Sequence, residues 1–336
     1  MAALSPATFT LTRTGGAGIG YREDFSKDAL TLLDPHDSYF TKKCAREVAR
    51  ALNHDWLTDN LPALSALPTP RYLSQEPSYA TTVARKRYCN VIQYFSYVWQ
   101  IVQASEIIAQ KSGVAGGITS EIANEIERQM KYAGKEMEAV FLSAQAAVND
   151  DGTTTGGKLS GFFEPTIWNG HSTDTVPLAW NAKVAATKAE FLGFGQADVE
   201  DVLLTAYQNG AIGPFSAYMP SYTQANWAAT FQGRPGYQVQ QAVGEHMIDN
   251  QVYTYFSRTG IGQVDFIADR TIDPQYAVAF VNHDYMKIAE LNPISVYEND
   301  PNTFRNRQGW IDCYATLMDK NPQAHIRLYT TGVTWS

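Results

Sequence analysis

A chain of 336 residues is long enough for one large domain, or two to three subdomains, around a substantial core. Its net charge of -8 argues against a dedicated nucleic-acid binder, which would carry a basic patch or stripe. Only 18% of residues are charged, below the roughly 25% usual for soluble domains, and uncharged polar residues and 19 tyrosines take up the difference. Interface cores are poor in charge and rich in aromatics, so this profile suits a subunit buried against neighbours, and a tyrosine-rich sugar-binding protein would share it.

Cys44, Cys89 and Cys313 are odd in number and form no CxxC pair, which fits buried free thiols in a reducing compartment. The opening MAALSPATFT has no basic n-region followed by an apolar run, so no secretory signal is expected. No stretch approaches about eighteen uninterrupted apolar residues, so no membrane span is expected either.

Residues 1–25 are polar and glycine-rich and read as an extended arm. Ser26–Leu33 and Ala45–Leu52 are short helical candidates, the first stopped by Asp34-Pro35. Between His54 and Tyr79 stand Pro62, Pro68, Pro70 and Pro77, which exclude a central strand or a helix interior. Asn90–Ala104 (NVIQYFSYVWQIVQA) predicts a strand of ~50 Å at about 3.3 Å per residue. Trp56–Ser65 is its expected partner, in a two-stranded excursion with an irregular tip near Pro68–Tyr79. An isolated hairpin is marginal in water, so the excursion should lie on another subunit.

Apolar residues then recur every three or four positions at Ile122, Ile126, Met130, Ala133, Met137, Val140, Ala144 and Val148. This spacing predicts one face of a continuous helix of ~45 Å. Gly134 within it costs about 1 kcal/mol relative to Ala, and one use for it is to admit a close neighbour. A turn-rich break, Asn149–Gly161, leads into an α/β stretch. Its elements are a helix at Ala197–Tyr207 ended by Asn209-Gly210, a strand at Phe215–Met219 and a helix at Thr223–Phe231. Strands follow at Gln251–Phe256, Val264–Ala268, Tyr276–Asn282, Ile294–Glu298, Trp310–Met318 and His325–Thr330. Pro301 and the asparagines of Asn299–Asn306 predict a hairpin turn.

No motif supplies a catalytic, cofactor or metal site. Gly152–Leu159 (GTTTGGKL) matches a phosphate-binding loop until Leu159, where the Mg²⁺-ligating hydroxyl should stand, and it follows a helix rather than a strand. Gly15–Gly20 cannot be registered as G-x-G-x-x-G, because the last glycine falls on Tyr21 or Glu23. His171-Ser172-Thr173-Asp174 has the residue types of a hydrolase triad but no G-x-S-x-G elbow, and reads as a polar loop. Arg85-Lys86-Arg87 reads as a solvated strand edge or an ion-pair partner.

Several segments, in order, resemble a known family. They are Asp34–Phe40 (DPHDSYF), His54–Leu61 (HDWLTDNL), Asn90–Gln93, Ala133–Glu138 (AGKEME), Arg270–Tyr276 and His283–Ala289. Taken together the chain resembles a tailed-phage major capsid protein of the Hong Kong 97-type fold, with Gly170–Lys188 unusual and Gly233–Val252 unmatched. The resemblance implies an α+β fold. Its parts would be an N-terminal arm (1–53), an extended E-loop (54–89), a P-domain with a long spine helix (90–160), a compact α/β A-domain (161–283), and P-domain return strands with a hairpin (284–336).

The function it implies is structural: hexamers and pentamers of the chain closing an icosahedral shell around double-stranded DNA in the virion. Expected partners are the chain itself, portal, scaffolding and decoration proteins, and weakly, non-specifically held DNA. No enzyme activity and no cofactor are implied. The chain shows no long charged helical leader, so it is not expected to carry its own scaffolding segment. Expected inter-subunit contacts are Trp56, Arg71, Tyr72 and Tyr79 of the E-loop, and Glu298, Asp300, Arg305 and Arg307 of the hairpin. The alternative is a Tyr/Trp-rich carbohydrate-binding or hydrolytic phage surface or tail protein.

Overall fold

A computed structural model of the chain describes residues 38–58, 85–104, 106–107, 121–164, 181–208, 210–211, 213–231, 237–239, 252–257, 259–272, 277–299 and 306–330. The arm before residue 38, Ser26–Leu33, Pro68–Tyr79 and His171–Asp174 lie outside them. In chain order the helices are α1 (Tyr39–Lys43), α2 (Glu121–Phe141), α3 (Lys188–Leu192), α4 (Gln196–Gln208) and α5 (Ser221–Phe231). The strands are β1 (Ala45–Val48), β2 (Asn53–Thr58), β3 (Lys86–Val91), β4 (Gln93–Val102), β5 (Asn181–Ala185), β6 (Phe215–Met219) and β7 (Tyr237–Val239). They continue with β8 (Val252–Phe256), β9 (Gln263–Ala268), β10 (Ala277–Val281), β11 (Met286–Glu298), β12 (Asn306–Asp319) and β13 (Ile326–Thr330).

A four-stranded sheet in the order β1-β11-β12-β4 carries α2 on one face. In β4 the alternation puts Phe95, Tyr97 and Trp99 inside and Tyr94, Ser96, Val98 and Gln100 outside. Helix α2 lies on the inner row: Tyr132 meets Tyr97 edge-on at 5.9 Å, and Phe141 meets Phe95 at 6.2 Å. At 21 residues it is the longest described helix, and it passes through Gly134 unbroken.

It ends at Phe141, short of the predicted Val148. There the Ser143 hydroxyl takes the Val140 carbonyl at 2.7 Å, and the returning chain supplies the remaining donors. Phe162 N–H bonds Phe141 O, Phe163 N–H bonds Ser143 O and Gly161 N–H bonds Gln145 O. Gly161 makes this return possible, since a Cβ there would stand 2.3 Å from Ser143 O.

The long strand predicted at Asn90–Ala104 is two strands with different partners. β3 pairs with β2 in a two-stranded ribbon, and β4 pairs with β12. The corner is set by hydrogen bonds to distant segments. Ile92 N–H bonds Leu52 O at 2.8 Å. Asn90, 1% exposed, accepts from Val91 and Ser160 N–H and donates to Ser160 O and Leu317 O. The elongated element is instead the β11–β12 hairpin, with strands of 13 and 14 residues, or ~45 Å at 3.3 Å per residue.

A seven-stranded sheet, β5-β13-β10-β6-β9-β8-β7, separates two cores. β10 reads AVAFV and is buried throughout, as a strand covered on both faces must be. Ala277, Ala279 and Val281 join the α2 core, while Val278 and Phe280 join a second core with Val199, Leu203 and Trp227 of α4 and α5.

Two sequence expectations are corrected here. Ala45–Leu52 is not helical: β1 lies parallel to the β11 edge, where Lys287 bonds Glu47 at 2.8 Å and Arg46 pairs with Glu290, and this edge outweighs a weak helix propensity. β13, placed by sequence with the 284–336 return segment, pairs with β10 and β5 in the seven-stranded sheet. A buried relay joins its start to the first sheet: Asn282 N–H donates to His325 Nδ1 at 3.0 Å, and His325 Nε2–H donates to Asp319 Oδ1 at 3.1 Å.

Candidate assembly surface

The face of the four-stranded sheet away from α2 is buried at Thr316 and Met318 but exposed along β4 from Tyr94 to Val102. Opposite residues in an antiparallel ladder share a face, so Val98 stands beside Trp310, Ser96 beside Asp312 and Tyr94 beside Tyr314. On the next strand Tyr297 stands beside Trp310. Tyr94 stacks on Tyr314 at 4.6 Å and Tyr297 on Trp310 at 5.7 Å. The acid on this surface is absorbed locally, because Asp312 Oδ1 accepts from the Tyr94 and Ser96 hydroxyls, both at 2.8 Å. What remains is an apolar stripe: Val98 is 72% exposed, Val102 54% and Tyr94 48%. A continuous apolar patch rimmed by polar groups marks an interaction site.

The nominated E-loop and hairpin residues are only partly described. Trp56 faces its own subunit. It is buried, its Nε1–H donates to Asp319 O at 2.7 Å, and its ring lies between His54 and Tyr88. A buried indole needs an acceptor, and here its own fold provides one. The expectation that His54–Asn90 avoids its own core is therefore corrected for Trp56, Tyr88 and Asn90. Arg71, Tyr72 and Tyr79 lie outside the described residues. Arg87 pairs with Asp55 across the ribbon. At the hairpin Arg307 Nε donates to Glu298 Oε1 at 2.7 Å within the same chain. Both side chains are about a third exposed, a setting worth about 0–1 kcal/mol. Asp300 and Arg305 lie outside the described residues.

The apolar stripe of α2 divides into three groups. Ile122, Ala133 and Met137 are buried, and Ile126 and Val140 pack partly buried on the same core. Met130 is 42% exposed, a correction to its core placement. Ala144 packs on the core and Val148 bridges to Lys158, but both stand past the helix end. The periodicity missed a second buried row, Glu138 and Phe141, which faces α1. Its signal was Gly134, one turn before Glu138.

Residues 150–158 form a closed turn. Gly152 N–H bonds Asp150, and Asp151 Oδ1 accepts from the N–H groups of Thr153, Thr154 and Thr155, each at 2.8 Å. The amides that a phosphate would need are occupied by the chain's own carboxylates. The Thr154 hydroxyl and these amides hold Asp151 far below the usual carboxylate range. The three cysteines are buried, and none is in a disulfide. Among the described residues no group of three or more His, Cys, Asp or Glu is placed to hold a metal ion, and no helix is long and apolar enough to cross a membrane.

Comparison with known proteins yields a match that spans nearly all of the chain. The model of the family described as SU10 major capsid protein matches residues 7–334. A search of curated proteins finds no match. Among solved structures, the capsid of a native GTA particle aligns at 16% identity and TM-score 0.54, over 92% of this chain and 95% of that one. The capsid of cyanophage P-SCSP1u aligns at 10% identity and TM-score 0.54, over 98% and 99%. The capsid of the Myoviridae phage XM1 aligns at 11% identity and TM-score 0.54, over 94% and 100%. At such identities the likeness is one of fold.

Proposed function

The chain belongs to the SU10 major capsid protein family, and on that premise we propose that its subunits meet through the outer face of the four-stranded sheet. The protein is a structural component of a phage virion with the Hong Kong 97-type capsid fold, and not an enzyme. The carbohydrate-binding or hydrolytic alternative is set aside by the family match. The observation that carries the interface is the alignment of exposed Val98, Val102 and Tyr94 on one face of β4, beside the Trp310 and Tyr297 pair.

In the same reading the E-loop (54–89) contacts a neighbouring subunit through Arg71, Tyr72 and Tyr79. The hairpin tip, with Glu298, Asp300, Arg305 and Arg307, meets other copies at a local three-fold. Subunits form hexamers and pentamers of a closed shell. Portal, scaffolding and decoration proteins are the further partners, and packaged double-stranded DNA is held weakly. In this reading the chain divides into an arm, an E-loop, a P-domain and an A-domain, with β1 joining the four-stranded sheet and β13 the seven-stranded one.

The test is Val98→Glu. Because Val98 is mostly solvent-exposed, the variant should fold with an unchanged circular dichroism spectrum. Shells seen by negative-stain microscopy should be lost, because a charge would be buried unpaired in each contact. Normal particle yield from the variant would remove this face from the interface.

A further inference from the structure

Three parts of the chain meet at one buried polar cluster. Glu138 on α2 is 0% exposed, and Asp269, just after β9, is 2% exposed. Phe40 N–H donates to Glu138 Oε1 at 2.9 Å, and the Thr41 hydroxyl reaches Oε2 at 3.3 Å. The Ser38 hydroxyl bonds the same carboxyl, and it rests where a Cβ on Gly134 would approach it to 3.1 Å. Asp269 Oδ1 accepts from the N–H and hydroxyl of Thr271, both at 2.7 Å. Its Oδ2 is buried without a donor, and Glu138 stands within hydrogen-bonding reach. A proton on the buried Glu138 carboxyl supplies the missing donor.

We propose that Glu138 carries a proton and donates it in a hydrogen bond to Asp269 Oδ2, and that this bond is a latch holding residues 38–41 on α2 and against the seven-stranded sheet. Around the pair, α1 and its end contribute Lys43 and Cys44, β6 contributes Tyr218, and the turn after β10 contributes His283. Arg270 follows Asp269, and Lys135 lies a turn from Glu138. Burial raises the Cys44 thiol and the Tyr218 phenol and lowers His283 to about 3, so all three are neutral at pH 7. The Lys43 ammonium reaches Ser216 at 3.1 Å and Asp265 at 3.8 Å.

Burial first, and Asp269 second, push the Glu138 carboxyl up to about 8. A carboxyl raised in the folded state stabilises most below its ordinary value of 4.5, and that contribution is lost as pH rises through about 8. Above that pH the two charges repel across the cluster, and the anchor of residues 38–41 loosens.

Hydrogen exchange on the full chain, read at the peptide covering residues 38–44 and corrected for intrinsic exchange, tests the latch. Protection should fall about tenfold or more between about pH 6 and about pH 10. Glu138→Gln keeps an acceptor for Phe40, can donate to Asp269 and cannot ionise, so the step should vanish. A flat wild-type profile, or the same step in Glu138→Gln, overturns the proposal. Infrared spectroscopy of the wild-type chain guards against a variant that fails to fold. The band of a protonated carboxylic acid should be present at neutral pH and lost on alkalinisation, and its absence at neutral pH also overturns the proposal.

Discussion

Gly309 sits where the Trp99 ring crosses β12, and a Cβ there would lie 2.1 Å from Tyr297 O and 2.6 Å from the ring. Gly309→Ala should therefore cost about 1–3 kcal/mol or more in a urea titration, since neither backbone nor a buried indole can yield. Gly156→Ala, with nothing within 4 Å, is the control and should stay within about 0.5 kcal/mol of the parent. His283 makes the second residue-level prediction. Its Nε2 meets the Tyr218 hydroxyl at 2.8 Å, and burial, then Lys43, hold it down at about 3. The unfolded chain takes up this proton below its ordinary 6.5 while the folded chain refuses it until about 3. Stability should fall as pH drops through that window, by at most about 1.4 kcal/mol per pH unit. Unfolding midpoints at a series of pH values should show the slope in the parent and its reduction in His283→Asn.

At the scale of elements, Asp319 at the end of β12 is a junction. Its carbonyl holds Trp56 of the β2–β3 ribbon, and its carboxylate holds His325 ahead of β13. The ribbon is thus anchored to its own subunit at the base, whatever its tip touches. Trp56→Phe removes the indole N–H together with part of the ring, leaving a buried carbonyl short of a donor beside a small cavity, a loss of about 2–4 kcal/mol. Denaturation should report that loss while particles still form at permissive temperature. Loss of particles from a fully stable Trp56→Phe subunit would return Trp56 to the interface.

For the whole molecule, the ribbon base is closed by pairing from Asn53↔Val91 to Thr58↔Lys86. Deleting Pro68–Tyr79 should therefore leave a folded, soluble subunit. Gel filtration and microscopy should then find capsomers or monomers without closed shells. Normal particles from the deletion would show that this tip holds no neighbour. The Arg307–Glu298 pair is satisfied within one hairpin.

Local pattern determined much of this protein. Phe215–Met219 is a strand because its apolar run is buried on both faces. The helix Gln196–Gln208 stops where Gly210 adopts a φ of 85°, a conformation open to glycine. The collinear motifs carried the capsid family, which the match over residues 7–334 shows. The nominated contact residues had no such local signature. Only the tertiary structure decided that the strand through Ile92 changes partner, that Trp56 turns inward, that Glu138 is buried, and that β13 leaves its neighbours for the other sheet. Periodicity reports which face of an element is apolar, but the partner that covers it is set by bonds across the chain. Trp56 finds its acceptor 263 residues away and Phe40 finds Glu138 at 98, distances over which no local spacing carries information.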